Sequence, residues 1–290
     1  MPEGLDGDAQ HYCVQVSKEN FWRTLDTALF GDAAVVCKKI FWNLLFLLPA
    51  IATRLLFNSK RVMTTFFKGE FALNGLDRSI SSHFNNLNGF FLEVGGNDGF
   101  SQSNTKRLEL FLGWSGILVE PYLPNFRRIA KTRTSRTLPV HAACVPFGFL
   151  GPNVSLIYSD LMTSSLGMES DVLDPKKHSE EGAKWIRSGR RVREFKAPAK
   201  TLNSILKTAD APSRIDFFSL DVEGVELSVL KGVDHEVFRF SWLLVESRDQ
   251  EKLNSYLTSL GYELAEQVSQ HDYLYRDATW PKSLSDTLTK

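Results

Sequence analysis

The chain has 290 residues, of which 43% are hydrophobic and 23% are charged, so its apolar content suffices for one large α/β domain or two small ones. Its 34 lysines and arginines balance its 34 aspartates and glutamates, which gives no electrostatic reason to expect a nucleic-acid partner. Its three cysteines are scattered and form no CxxC pair, which disfavours a disulfide framework or a cysteine metal site and predicts a reducing, cytoplasmic setting.

The first 69 residues are predicted to form a helical extension that contains one long apolar stretch. The stretch spans residues 40–57 between pairs of basic residues, but Asn43, Pro49 and Arg54 interrupt it. A buried or interfacial helix and a membrane anchor are both compatible with this pattern. The first ten residues are acidic and poor in apolar side chains, so no signal peptide is expected.

From about residue 89 the chain alternates short apolar runs with helical patterns, which predicts a mostly parallel sheet with crossover helices. The runs are continuously apolar, as is typical of strands covered on both faces. The predicted strands are Phe90–Val94, Ile117–Val119, Leu138–Cys144, Asp216–Leu220 and Trp242–Val245, and the predicted helices are Thr105–Leu112, Asn125–Lys131, Val225–Leu230 and Glu251–Leu260.

Two further strand-like runs, Glu263–Val268 and Tyr273–Tyr275, predict an antiparallel hairpin at the end of the sheet. A hairpin there suits a methyltransferase better than a dehydrogenase. Residues 148–200 form an insertion between the third and fourth strands, with a helix expected near Glu180–Arg187 and a strand near Phe195. Such insertions often form lids or acceptor pockets. We therefore expect one domain over residues 70–290.

The strongest functional signal is GFFLEVGGNDGFSQSNT at residues 89–105. A buried strand carries the acidic Glu93 near its end, and a glycine-rich turn then leads into a helix. Glycines let the backbone approach a ligand, which lies beyond the carboxyl ends of the strands in open α/β sheets. An acidic residue there suits a cationic ligand such as a sulfonium amino acid. A tight turn without any ligand is the alternative, and the missing GxGxxG spacing disfavours a nicotinamide oxidoreductase.

The second signal is GWSGILVEPYLPNF at residues 113–126. Another buried strand ends at Glu120, where an acidic side chain is placed to accept both hydroxyls of an adenosine ribose. Pro121 and Pro124 then fix the exit into the next helix. The two motifs together predict a site for an adenosine-containing ligand.

The third signal is IDFFSLDVEGVELSVLKG at residues 215–232, where Asp221 and Glu223 follow an apolar strand. Carboxylates at this edge could orient an acceptor hydroxyl, take its proton, or hold a divalent metal. Alternatively, Glu223 caps the helix that is expected to start near Val225. Glu246 at the end of the next strand is a weaker candidate, and Asp160 in the insertion could line an acceptor pocket.

These motifs, with SNT at 103–105, LGWSGILVEP at 112–121, LDVEG at 220–224 and the LKG that follows, resemble the FkbM family of methyltransferases. The resemblance covers about residues 71–276, with Gly96 where relatives often have alanine. It implies a Rossmann-like class I methyltransferase fold of the α/β class, with a mostly parallel sheet, helices on both faces and a C-terminal antiparallel hairpin. It also implies S-adenosylmethionine as cofactor, and the polysaccharide-associated branch is the most similar, which implies O-methylation of a sugar hydroxyl.

The positions of these carboxylates and glycines within the motifs assign roles to residues of this chain. Asp221 and Glu223 are the expected catalytic residues, and no metal ligand is assigned. A carbohydrate acceptor is expected, with membrane contact possible through residues 40–57. Some animal relatives with this motif are membrane proteins of trafficking, so a non-catalytic role stays open, as does a lipid or peptide acceptor. The expected cofactor-binding residues are Glu93, Gly95, Asn97, Asp98, Gly99, Ser103, Glu120 and Pro121.

Overall fold

The computed structural model describes residues 69–84, 87–186 and 191–279, apart from the side chain of Trp185. The apolar stretch at residues 40–57 lies outside this part of the chain, so its interpretation stays a prediction, as does the domain boundary at residue 70. Among the helices of the described ranges, none is both long and apolar enough to cross a membrane.

Seven strands form the main sheet: β1 Phe90–Val94, β2 Ser115–Glu120, β3 Thr137–His141, β8 Arg214–Leu220, β9 Arg239–Glu246, β10 Tyr262–Gln267 and β11 Asp272–Asp277. Their spatial order is β10-β11-β9-β8-β1-β2-β3. The strands from β9 to β3 are parallel, whereas β11 is antiparallel to both β9 and β10. This order and the inserted antiparallel strand confirm the predicted class I methyltransferase fold.

Four shorter strands form a second sheet: β4 Ala143–Val145, β5 Asn153–Tyr158, β6 Ser164–Leu166 and β7 Arg193–Thr201. Their spatial order is β4-β7-β5-β6. The last three strands come from the predicted insertion, including the strand expected near Phe195, and they bury Val154, Leu156 and Ala197 against β4.

The single strand predicted over Leu138–Cys144 is wrong, because the chain changes sheets at Ala142. Up to His141 the backbone pairs with β2, and from Ala143 it pairs with β7. Both halves of the run are apolar, and an apolar pattern does not say which neighbour a strand will pair with.

Helices cover both faces of the main sheet, as predicted. Neighbouring residues of a strand point to opposite faces, so Leu92 packs with the helices that carry Leu206, Val229 and Leu257, whereas Phe91 packs with those that carry Ile80 and Leu108. The seven α-helices in the described ranges are α1 Leu76–Ser81, α2 Lys106–Phe111, α3 Leu123–Thr132, α4 Pro175–Gly182, α5 Leu202–Thr208, α6 Glu226–Leu230 and α7 Gln250–Ser259.

The helix of the insertion lies earlier in the chain than predicted. It spans Pro175–Gly182 rather than the region near Glu180–Arg187. The Asp174 side chain accepts hydrogen bonds from the backbone N–H groups of Lys176 and Lys177, and Pro175 begins the first turn. These are strong helix-start signals, which outweigh the charge pattern used for the prediction.

Candidate active site

A cavity of about 360 Å³ opens at the carboxyl edge of the main sheet, a volume in the range of small-molecule sites. All three sequence motifs contribute to its wall, and so does the insertion. The wall of the cavity includes Glu93, Gly95, Gly96, Asn97, Ser103, Glu120, Pro121, Asp160, Met162, Asp221, Glu223, Glu246 and Asp272.

Two glycines after β1 allow the chain to touch both neighbouring strands. Gly95 has φ +92°, and a Cβ there would lie 1.7 Å from the backbone oxygen of Asp221. A Cβ on Gly96 would lie 2.0 Å from Leu118 of β2. Glycine is therefore required at position 95, where any side chain would push the first motif away from the third, and a side chain at position 96 would displace Leu118 of the second motif.

Glu93 is part of a buried network that holds the glycine-rich turn. Its carboxylate accepts hydrogen bonds from Arg133 Nη2 at 2.8 Å and from the backbone of Asn104 at 3.2 Å, and the hydroxyls of Ser103 and Thr105 also donate to it. Arg133 Nε donates to the carbonyl of Gly99 at 2.6 Å. Glu93 thus lines the cavity with its oxygens already paired, which gives it an organising role in this structure.

The sequence analysis missed Arg133, although it is almost fully buried at the end of α3. A buried ion pair contributes only when both charges are hydrogen-bonded, as they are here. Forty positions separate Arg133 from Glu93, and a lone arginine after a helix carries no sequence signal of such a pairing.

Asp98 and Gly99 shape the turn from behind and are not among the residues of the cavity wall. The Asp98 carboxylate accepts the backbone N–H groups of Phe100 and Ser101 at 3.1 and 2.7 Å. Ser103 has two roles in the structure. It lines the cavity, and its Oγ accepts hydrogen bonds from the N–H groups of Thr105 and Lys106 at the start of α2.

Asn97 links the turn to the insertion. Its Nδ2 donates to Asp160 Oδ1 at 3.2 Å, and its Oδ1 accepts from Asn125 Nδ2 at 2.6 Å. Asn97 and Asp160 have φ values of +46° and +57°, a region that residues with a side chain rarely occupy. Such backbone conformations cluster at ligand sites, where surrounding contacts hold them.

Glu120 ends β2 inside the cavity wall, as predicted. Burial raises the pKa of its carboxyl to about 8, although a hydrogen bond from the Tyr122 N–H at 2.8 Å opposes the shift. The nearby negative charges of Asp98 and Asp160 raise the pKa further. This raised pKa favours the protonated form of the Glu120 carboxyl at neutral pH.

Asp221, Glu223 and Glu246 meet at the other end of the cavity, and each offers an oxygen within 4.8 Å of the other two. The Asp221 side chain is exposed to the cavity, whereas protein atoms pack around its carboxyl on the other sides. The resulting loss of solvation, together with the charges of Glu246 and Glu223, raises the pKa of Asp221 well above its usual value. Burial and Glu223 raise the pKa of Glu246 as well. Like charges this close do not ionise together readily, which adds to the effect of burial on the pKa values of both groups. Three carboxylates are also a donor set that could hold a divalent cation.

Glu223 does not cap α6, contrary to one of the two interpretations of the sequence. The helix begins at Glu226, and it is the Glu226 carboxylate that accepts the N–H groups of Val222 and Gly224. Glu223 Oε2 instead lies 2.7 Å from His178 Nε2 and 3.1 Å from Arg248 Nη2. Neither partner was predicted, because both are distant in sequence and neither belongs to a motif.

Comparison with protein families places residues 93–264 in the methyltransferase FkbM domain, which is more than half of the chain. The chain belongs to the FkbM methyltransferase family. The match contains the glycine-rich turn, Glu120, the insertion and the Asp221 turn, and it confirms the family resemblance seen in the sequence. Comparison with curated protein sequences gives no match.

Several solved structures are similar to this FkbM-family chain. A SAM-dependent methyltransferase from Aquifex aeolicus is 9% identical, with a TM-score of 0.35 over 69% of this chain and 88% of that one. Methyltransferase FkbM from Methylobacillus flagellatus is 15% identical, with a TM-score of 0.37 over 65% of this chain and only 43% of that one. The human methyltransferase 10 domain containing protein is 13% identical, with a TM-score of 0.37 over 69% and 75%. These similarities are distant, so the fold assignment rests on the strand order.

The raised pKa of Glu120 predicts proton release when an adenosine ligand binds. Two ribose hydroxyls donate best to an ionised carboxylate, so binding at pH 7 should expel the proton that the raised pKa of Glu120 favours. Calorimetry with S-adenosylhomocysteine in buffers of different ionisation enthalpy should report release approaching one proton. Glu120→Gln should abolish the release and weaken binding by about 1–3 kcal/mol. Equal proton release by wild type and variant would contradict the assignment.

Proposed function

We propose that this FkbM-family protein transfers the methyl group of S-adenosylmethionine to a hydroxyl oxygen of a sugar in a glycan or glycoconjugate. The observation that carries the proposal is the single cavity to which Gly95, Glu120 and Asp221 all contribute. A methyl donor bound along the first two motifs would place its sulfonium beside the third. Family membership makes S-adenosylmethionine the expected donor.

The proposed cofactor site runs along the ends of β1 and β2. Glu120 would accept the ribose hydroxyls, with Pro121 beside it, and Gly95 and Asn97 would border the methionine part. Ser103 lies in the same wall. Glu93, Asp98 and Gly99 would contribute by holding the glycine-rich turn in shape. S-Adenosylmethionine would supply an electrophilic methyl group on a cationic sulfur.

The proposed chemistry is an in-line displacement at that methyl group. The acceptor oxygen attacks the methyl carbon, the carbon–sulfur bond breaks, and its electron pair stays on sulfur as a neutral thioether. The proton of the hydroxyl passes to the carboxyl pair of Asp221 and Glu246, whose raised pKa values make it a stronger base than an exposed carboxylate. Holding donor and acceptor in line supplies much of the rate enhancement.

The charge of the cavity supports an uncharged acceptor. Seven carboxylate residues line it, and none of the described lining residues is a lysine, arginine or histidine. Arg248 lies behind the wall and already contacts three carboxylates within 4 Å, those of Asp171, Glu223 and Glu246. Like charges brought together without compensation cost several kcal/mol. A sugar hydroxyl therefore fits better than a phosphate, sulfate or carboxylate group.

Asp221→Asn tests the acceptor-side role. The amide keeps the size of the side chain but cannot take a proton, so turnover should fall about 10²–10⁴-fold while S-adenosylhomocysteine affinity stays within a few-fold. Methyl transfer from tritium-labelled S-adenosylmethionine into a total glycan extract measures turnover, and calorimetry measures affinity.

A matched control and three further measurements distinguish the proposed role of Asp221 from its alternatives. Glu263→Gln removes the same charge on the exposed strand β10 and should change neither quantity. A larger loss with Glu223→Gln than with Asp221→Asn would reverse the two roles, and loss of activity on chelation would favour a metal at the three carboxylates. Cofactor binding without methylation of glycan, lipid or peptide extracts would favour the non-catalytic alternative.

The negative charge at the acceptor end predicts selectivity among cofactor analogues. Sinefungin carries an ammonium group where the methyl group would lie, whereas S-adenosylhomocysteine is uncharged there. We expect sinefungin to bind at least about ten-fold more tightly, which corresponds to about 1.4 kcal/mol. Glu246→Gln should reduce this ratio and Glu263→Gln should not, as calorimetry can measure. Equal or weaker binding of sinefungin by the wild type would argue against the charge assignment.

We also propose that residues 40–57 contact a membrane surface, on the basis of their apolar composition and basic flanks. In flotation assays with anionic liposomes, the full chain should float and a chain lacking residues 1–69 should not. Equal recovery of both in the unbound fraction would point to a buried helix instead.

A further inference from the structure

We propose that His178 of the insertion is a positioning residue, which acts through Glu223 to hold the turn that follows Asp221. This inference rests on the proposed function only for the role of Asp221. The observations that support it are the conformation of residues 222–224, the contacts that the insertion makes with them, and the contacts of α4 with both this turn and Met162 of the cavity wall.

The turn has a backbone conformation that its own sequence does not favour. Glu223 has φ +57° and Gly224 has φ +106°. Glycine adopts such angles readily, but glutamate does so rarely and needs contacts that hold it there. The positive φ of Glu223 is therefore held by contacts of its side chain or of the neighbouring residues.

The insertion supplies contacts to the outer side of the turn. His178 Nε2 lies 2.7 Å from Glu223 Oε2, and both side chains are nearly buried, at 12% and 13% exposure. The N–H of Asp171 donates to the carbonyl of Gly224 at 2.8 Å. A Cβ on Gly224 would lie 2.6 Å from both Ser170 and Val172, so the insertion packs directly against this backbone.

The sheet side holds the turn by different groups. Glu226 accepts the N–H groups of Val222 and Gly224, and Arg248 Nη2 donates to Glu223 Oε2 at 3.1 Å. Glu223 is thus shared between one partner from the insertion and one from the loop after β9. Removing the insertion partner would leave its side chain held from one side only.

This contact matters for the reaction because Asp221 lies at the start of the same turn. Its carbonyl abuts Gly95 on one side, and its carboxyl pairs with Glu246 on the other. Helix α4, which carries His178, also packs on the cavity wall, since a Cβ on Gly182 would lie 2.7 Å from Met162 Cβ. One helix therefore connects the insertion's part of the wall to the turn that positions the proposed base.

Paired substitutions at His178 separate positioning from general stability. Glutamine places its amide nitrogen near the position of imidazole Nε2 and can still donate to Glu223, whereas the shorter asparagine cannot reach. In the full chain with S-adenosylhomocysteine bound, His178→Asn should raise amide hydrogen exchange at Val222 and Gly224 at least about five-fold. His178→Gln should keep exchange near the wild-type rate, and the affinity for S-adenosylhomocysteine should change less than about three-fold in both variants.

A second background tests whether His178 acts through Glu223. A Glu223→Gly chain lacks the carboxylate that His178 contacts, and glycine adopts positive φ without a tether, so His178→Asn should have no further effect on exchange at the turn in this background. Lys231→Gln breaks another, exposed contact between the insertion and the rest of the domain, the ion pair with Glu169, and should leave the turn unchanged.

Methyl transfer from labelled S-adenosylmethionine into the total glycan extract completes the test. It should fall at least about ten-fold with His178→Asn and recover with His178→Gln. Unchanged exchange with His178→Asn, failure of glutamine to restore it, or an equal effect of Lys231→Gln would overturn the inference. If the wild type transfers no methyl group, the proposed function fails, and the exchange measurements still decide whether His178 holds the turn.

Discussion

Direct backbone contact between Gly95 and Asp221 brings the two halves of the site together. The carbonyl of Asp221 occupies the space where a side chain at position 95 would begin. The turn after β1 and the turn after β8 therefore lie in van der Waals contact at the middle of the sheet. The position of the cavity follows from this, because parallel strands end at the same edge and these two strands are adjacent.

The carboxylates of the site are then distinguished by their partners. Glu93 is paired with a buried arginine and holds the turn, as expected for a hydrogen-bonded ion pair. Loss of solvation and neighbouring carboxylates instead raise the pKa values of Glu120, Asp221 and Glu246, and the contact of Arg248 with Glu246 at 3.5 Å offsets this only in part. The same residue type thus serves as a structural anion in one place and as a proton-exchanging group in another.

The insertion is a structural part of the site rather than an appendage. Through Asp160 it bonds to Asn97 at the cofactor end, and through His178 it bonds to Glu223 at the acceptor end. Asn97, Asp160 and Glu223 all have positive φ, which indicates that the contacts across the cavity outweigh local backbone preference. Differences in this segment would alter both ends of the cavity together.

The amino-acid sequence by itself determined the fold class, the strands of the main sheet apart from the end of β3, and the three motifs at its carboxyl edge. It could do so because apolar runs, glycine turns and strand-end carboxylates are local patterns with a fixed spacing. It also predicted that the glycine-rich turn, Glu120 and Asp221 would lie at the ligand edge of the sheet, since parallel strands end at the same edge.

Only the tertiary structure decided which partners these residues have. The switch of sheets at Ala142, the pairing of Arg133 with Glu93 and that of His178 with Glu223 join segments that are far apart in the chain. The start of the helix Pro175–Gly182 is indicated by local capping signals in the sequence. No local signal indicates that its histidine, His178, contacts Glu223. A side chain's partner and its pKa depend on how distant segments pack, and a one-dimensional pattern contains no direct record of that packing.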